Sequence, residues 1–240
     1  MKLHTYKDLS TLSHAVAEWL VSYVEEVLQR QDRFTIALSG GSTPQKLFAL
    51  LATEPYRNRI AWNQLHVFWG DERYVPVADE RNNARMASEA LLNHVSIPPS
   101  QIHSWRTDIA PDASAAEYDL LLHQYFDSQQ TTFDLVLLGM GDDGHTLSLF
   151  PGTDVVFEDK AWTAAYYLKA QDMYRLTLTA PVVNRAACVA FLVTGNGKAD
   201  VLKEVLQGDY QPAVYPSQRV KPVSGELIWF VDEAAAGWLG

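Results

Sequence analysis

One cysteine among 240 residues excludes an internal disulfide. It is Cys188, inside the apolar run Cys188–Val193, where a thiol reads as a small buried hydrophobe and not as a nucleophile. Long hydrophobic runs are missing too, and the first residues lack the apolar core of a secretory signal. A cytoplasmic chain is therefore expected, with no membrane partner. Positive charge is scarce: 19 Lys and Arg against 29 Asp and Glu leave a net charge of -10, which argues against a nucleic-acid surface. An anionic ligand would need a local cationic pocket. No repeat or low-complexity segment occurs. There is no P-loop and no Gly-x-Gly-x-x-Gly dinucleotide loop. No Gly-x-Ser-x-Gly elbow offers a serine nucleophile. No second histidine or cysteine lies at ligand spacing from His145, so no metal centre is expected.

What remains is ordinary globular material. With 48% apolar and 20% charged residues the chain is neither disordered nor fibrous, and its length suits one domain spanning residues 1–240. Leu9, Leu12, Val16, Leu20, Val24 and Val27 recur at helical spacing and predict a long amphipathic first helix. Strand-like runs follow at Phe34–Leu38, Leu65–Trp69, Phe133–Leu138, Cys188–Val193 and Leu227–Val231. Helical patterns lie between them near Pro44–Ala52, Asn82–Asn93, Ser114–Ser128 and Lys198–Gln207. This alternation implies an α/β fold with a doubly wound, mainly parallel sheet. Arg175–Thr179 alternates by two and reads as a further strand, with an antiparallel partner an option.

Chemistry concentrates where strands end. Gly139-Met140-Gly141-Asp142-Asp143-Gly144-His145 follows the apolar run Phe133–Leu138 and delivers two carboxylates and an imidazole to a glycine-loosened turn. The carboxyl ends of strands are where open α/β sheets bind ligands. A structural, hydrogen-bonded histidine is the competing reading; the glycines, the carboxylates and the position favour a general base. The other six histidines read as structural or surface residues. Ser39-Gly40-Gly41-Ser42-Thr43-Pro44 links a strand to a helix whose free amides suit a phosphate or carboxylate, with Ser42 or Thr43 as cap and Pro44 at the first helical position. It reads equally as a plain capped turn. Gly70-Asp71-Glu72-Arg73 puts Arg73 at a strand end, either to fork an anion or to pair with Asp71. In Gly195-Asn196-Gly197-Lys198, Lys198 opens a helix, where a bound anion or plain solvent exposure would relieve its misplaced charge.

The order of these segments is distinctive. Phe68–Pro76, Gly139–Gly152 with its ending Leu149-Phe150-Pro151-Gly152, Arg175–Thr179, Gly195–Ala199 and Gly225–Asp232 resemble the 6-phosphogluconolactonases, in order and spacing, over nearly the whole chain. That resemblance implies a modified Rossmann-type fold shared with sugar-phosphate isomerases and glucosamine-6-phosphate deaminases. It implies hydrolysis of a small-molecule partner, 6-phosphoglucono-1,5-lactone, to 6-phosphogluconate in the oxidative pentose phosphate pathway, without metal or organic cofactor. It implies His145 as general base, Asp143 as its orienting carboxylate, and phosphate and oxyanion contacts from Gly40, Gly41, Ser42, Thr43, Arg73 and Lys198, with Arg175 at a further family position. Two departures stand out: Asn82-Asn83 replaces the usual Ser-Asn, which bears on a substrate contact, and Leu147 replaces an alanine, a change of packing. The resembling deaminases carry a glutamate five residues after the histidine, where this chain has Phe150, which cannot move a proton. A non-catalytic sugar-phosphate sensor is the other alternative; binding alone needs no base, and no DNA-binding module or basic patch is evident. Nothing in the sequence sets an oligomeric state.

Overall fold

The computed structural model of the protein describes residues 1–240. Along the chain run β1 (Lys2–Tyr6), α1 (Leu9–Leu28), β2 (Phe34–Leu38), α2 (Ser42–Leu51), α3 (Tyr56–Arg59), β3 (Leu65–Trp69), β4 (Asp71–Arg73), α4 (Asn83–Ala90) and β5 (Ile102–His103). There follow α5 (Pro111–Phe126), β6 (Leu135–Leu138), β7 (Thr163–Leu168), β8 (Met173–Leu178), α6 (Ala180–Val183), β9 (Cys188–Val193), α7 (Ala199–Gln207) and β10 (Glu226–Asp232). No helix is long and apolar enough to cross a membrane.

Seven strands form a parallel sheet in the order β1-β10-β9-β6-β2-β3-β5. β2, β6 and β9 are buried along their whole length, which explains why their sequences are apolar but for Thr35 of β2, whose hydroxyl bonds to Asp134. From β2 the chain steps outward through β3 to β5, then returns to the other side of β2 at β6 and continues to β9 and β10. This reversal opens a crevice between the carboxyl ends of β2 and β6, the place where doubly wound sheets receive ligands. The expected first helix spans Leu9–Leu28, buries Leu12, Val16, Leu20, Val24 and Val27, and starts where the Asp8 carboxylate accepts the Thr11 amide. The run expected from Phe133 enters the sheet only at Leu135, because the Asp134 carboxylate turns back onto the amide and hydroxyl of Thr35.

A second, antiparallel sheet in the order β4-β8-β7 lies beside the first. The alternating run at Arg175 is β8, so its antiparallel option is realised. Asp71–Arg73, read as the end of the preceding strand, is a strand of its own, β4, with Arg73 opposite Arg175. The turn after β2 also departs from expectation. Gly41 is the N-cap with φ +108°, a conformation suited to glycine, so the helix begins at Ser42 and Pro44 comes third. No side chain caps it; the Thr43 hydroxyl instead lies 2.8 Å from that of Thr194. The first-turn amides of α2 are left free for another partner.

Candidate active site

His145 stands on the turn that leaves β6. Its Nδ1 lies 2.5 Å from Asp143 Oδ1, and its own amide donates to the same oxygen at 3.1 Å. With Nδ1–H donated to the carboxylate, Nε2 is the free lone pair of the ring. Partial burial pushes the Asp143 carboxyl up. The hydrogen bond from His145, its charge and its amide outweigh that burial and hold the carboxyl below its usual value. Gly141 makes the arrangement possible: a Cβ there would fall 2.0 Å from His145 Nδ1 and 2.5 Å from Asp143 Oδ1. The Gly141 amide closes the turn by donating to the His145 carbonyl at 2.8 Å.

The imidazole opens on a cavity of about 200 Å³ that is also lined by Gly40, Gly41, Asp71, Arg73, Asn83, Arg175 and Lys198. A neighbouring cavity of about 180 Å³ shares Gly40, Gly41 and Lys198 and adds Ser42, Thr43 and Thr194 around the start of α2. The crevice thus gathers every residue singled out from the sequence, with Asp143 behind the imidazole. A slightly larger space of about 230 Å³ between α7 and β10 holds neither carboxylate nor imidazole and shares no residue with these two.

The three cations differ in how far the protein already satisfies them. Arg175 is 3% exposed; its Nη2 donates to Asp71 Oδ2 at 2.9 Å and its Nε to Ser148 Oγ at 2.8 Å. Its guanidinium edge is therefore taken up inside the wall. Lys198 Nζ pairs with Asp142 Oδ1 at 2.6 Å, which relieves its position at the start of α7 without an anion. Arg73 has no carboxylate partner: its Nη1 donates to the Arg81 carbonyl at 2.8 Å, and its buried Nε has no partner at all. It is the crevice cation without a carboxylate partner.

Several further residues, named in the sequence without these contacts, complete the site. Asp142, next to Asp143 in the chain, pairs with Lys198. The Asn83 side chain donates to the Asp71 carbonyl at 2.9 Å and lines the cavity, at the position of the Asn82-Asn83 pair that keeps the usual asparagine. Phe150 lays its ring on the imidazole, centroids 4.0 Å apart. The sequence named Asp142, Asn83 and Phe150 but could not show which side chains they meet. Leu147 takes φ +54°, uncommon for a side chain of its size, and covers Gly70, where a Cβ would meet Leu147 Cδ2 at 2.5 Å. Its replacement of alanine is thus absorbed by packing.

Known proteins share both the fold and much of the sequence. Residues 7–229 match the family described as glucosamine-6-phosphate isomerases/6-phosphogluconolactonase. The 6-phosphogluconolactonase of a Nostoc species is 39% identical over 237 residues, covering 97% of this chain and 95% of that protein. The structure of 6-phosphogluconolactonase from Trypanosoma brucei superposes with a TM-score of 0.85 at 27% identity, over 100% of this chain and 98% of that one. A monomeric glucosamine-6-phosphate deaminase superposes equally well, at 0.85 over 99% of each chain, but at 18% identity. That last likeness speaks for the fold alone. The family match along most of the chain, with 39% identity across nearly the whole Nostoc protein, places this chain in the glucosamine-6-phosphate isomerase/6-phosphogluconolactonase family.

Proposed function

We propose that this protein hydrolyses 6-phosphoglucono-1,5-lactone to 6-phosphogluconate, the second step of the oxidative pentose phosphate pathway, with His145 as general base. The observation that carries this reading is an Asp143–His145 dyad whose imidazole lines the same cavity as Arg73, which has no carboxylate partner. Relatives named 6-phosphogluconolactonase across nearly the whole chain support the substrate. Phe150 beside the imidazole, in place of a second proton carrier, disfavours the deaminase reading.

In this mechanism Nε2 takes a proton from water as the water oxygen bonds to the lactone carbonyl carbon. Nδ1–H stays with Asp143, which stabilises the imidazolium. The carbonyl oxygen becomes an oxyanion facing Arg73 and the crevice amides. When the intermediate collapses, the bond from carbon to ring oxygen breaks, and the leaving alkoxide takes the proton back from Nε2. The phosphate fits the start of α2, where free amides, the helix dipole, Thr43 and Lys198 meet. Holding the far end of the substrate there turns remote binding into orientation of the carbonyl. Arg175, already engaged by Asp71 and Ser148, serves as wall. No metal or organic cofactor has a step in this scheme. A cytoplasmic setting belongs to the proposal and fits the single, buried thiol.

The test is direct. Purified protein should speed loss of 6-phosphogluconolactone above its spontaneous hydrolysis, with chelator present, and unphosphorylated gluconolactone should be a poor substrate. Ammonia release from glucosamine 6-phosphate without lactonase activity would overturn the assignment.

A further inference from the structure

The turn that carries His145 folds back on itself. Leu149 donates its amide to the Thr146 carbonyl at 2.9 Å, and the left-handed Leu147 lies between them. The result brings Phe150 under the imidazole, ring centroids 4.0 Å apart and planes 21° from parallel. Phe150 is 7% exposed and cannot swing away into solvent. Beside it lies the Arg175 guanidinium, 5.5 Å from the phenyl centroid. Arg175 itself is pinned: Asp71 and Ser148 take its Nη2 and Nε, and the Ser148 hydroxyl donates to Asp71 Oδ2 at 2.7 Å. Tyr166 closes the group by donating to the Ser148 carbonyl at 2.6 Å.

These contacts answer a mechanical problem. One hydrogen bond, from Nδ1 to Asp143, fixes the distance of the imidazole but leaves the ring free to tilt about that bond. Tilting moves Nε2 out of line with a water held against the substrate. A flat aromatic surface on one face removes that freedom. The face of a phenyl ring also carries partial negative charge, which favours a cation against it. The imidazole gains positive charge as it accepts the proton, so this contact strengthens as the reaction proceeds.

We infer that Phe150 is a positioning residue for the imidazole of His145, held in place by the buried Asp71–Arg175–Ser148 triangle. The inference rests on His145 being the base. Phe150 touches no reacting atom and acts only through the histidine. Phe150→Leu and Phe150→Met, which keep an apolar side chain but lose the flat ring, should each lower kcat by roughly 3- to 10-fold, the rate equivalent of one aromatic contact. KM should stay within about twofold, since the phosphate anchor is remote from this ring. Phe150→Tyr, which keeps the ring, should recover most of kcat.

A second readout separates positioning from general packing. In ¹⁵N-labelled protein the His145 ring nitrogens should report proton on Nδ1 in the parent and in Phe150→Tyr. In the Leu and Met variants they should report a mixture of tautomers, because a ring with no flat surface beneath it also rocks off the axis of the Asp143 hydrogen bond and weakens it. If the Leu and Met variants keep parent kcat and parent nitrogen shifts, the inference fails. It fails also if the Tyr variant loses as much as the other two. The underlying reading is judged apart from this: His145→Ala with near-parent turnover would remove the base itself, whereas an inactive His145→Ala beside a fully active Phe150→Leu would remove only the positioning role.

Discussion

Gly141 has no room for a methyl group, and the reason is chemical, since its backbone has an ordinary conformation. The space a Cβ would occupy is filled by His145 Nδ1 and Asp143 Oδ1, at 2.0 and 2.5 Å. Alanine there should leave the fold intact, because the crevice-facing imidazole can move aside, but the dyad would be pushed apart. Displacement of a reacting group by about 1 Å can cost on the order of 10²-fold in rate. Gly141→Ala is therefore expected to lower kcat by about that factor while KM changes little. His145→Ala should lose about 10²- to 10⁴-fold, the usual worth of a positioned base. Steady-state kinetics on the two variants, with circular dichroism to confirm folding, checks both. Parent-like turnover in a folded His145→Ala protein would sink the general-base mechanism. Asp143 should remain ionised across the neutral range, since the interactions with His145 hold its carboxyl down. Its effect on rate is thus orientation and charge stabilisation, present above the usual carboxylate range and lost as acid protonates it.

The short strand β4 and the helix α4 are joined by one buried carboxylate. Glu72, 0% exposed, accepts the amides of Arg73 at 2.8 Å, Asn83 at 2.7 Å and Ala84 at 2.9 Å. It thereby satisfies the first turn of α4 and holds Asn83 beside the crevice. Burial pushes its pKa up to about 7, although the three amides pull the other way. The sign of the linkage follows. An acid whose pKa is raised on folding keeps its proton in the folded chain while the unfolded chain has already released it. Stability is then greatest below the ordinary glutamate value, falls as pH rises toward 7, and is flat above it. The difference across that window is on the order of 3 kcal/mol. Glu72→Gln is neutral throughout, so denaturant unfolding at pH 5 and at pH 8 should show the variant gaining on the parent at the higher pH. Parallel behaviour of the two proteins would mean that the amides outweigh the burial.

Across the molecule, both sheets draw on one buried cluster. Leu176 and Leu178 of β8 belong to the same contiguous apolar core as Phe191 of β9 and Leu137 of β6. Gly70 bridges the sheets directly, donating its amide to Leu38 of β2 at 2.8 Å and accepting that of Leu178 at 2.7 Å. On this basis the whole chain is proposed to be one folding unit. Far-ultraviolet circular dichroism and tryptophan fluorescence should report coincident unfolding transitions in denaturant. Tryptophans occupy both regions, with Trp69 and Trp229 in the large sheet and Trp162 just before β7, so separate melting of the small sheet would appear as a displaced fluorescence transition. A resolved intermediate of that kind would divide the chain into two units.

How much of this was legible beforehand depends on the distance over which each contact forms. Apolar runs, interrupted only by Thr35 and His66, marked β2, β3 and β9 with their observed bounds, because a strand covered on both faces is mostly apolar. The Asp143–His145 pair was legible because two residues on one turn can meet only locally. Helical periodicity marked α1 for the same reason. Strand β1, mostly exposed at the sheet edge, and the two-residue β5 left no such mark. Their existence depends on neighbours, β10 and β3, that the chain brings beside them only once folded. The division of labour among the cations was equally hidden. Asp71 and Arg175 are 104 residues apart and meet because β4 pairs with β8. Hydrophobic period tells which face of an element is buried but not which element lies against it. The sequence alone therefore determined where the candidate site residues lie along the chain, and only the tertiary structure decided that Arg175 and Lys198 are held by carboxylates while Arg73 has no carboxylate partner.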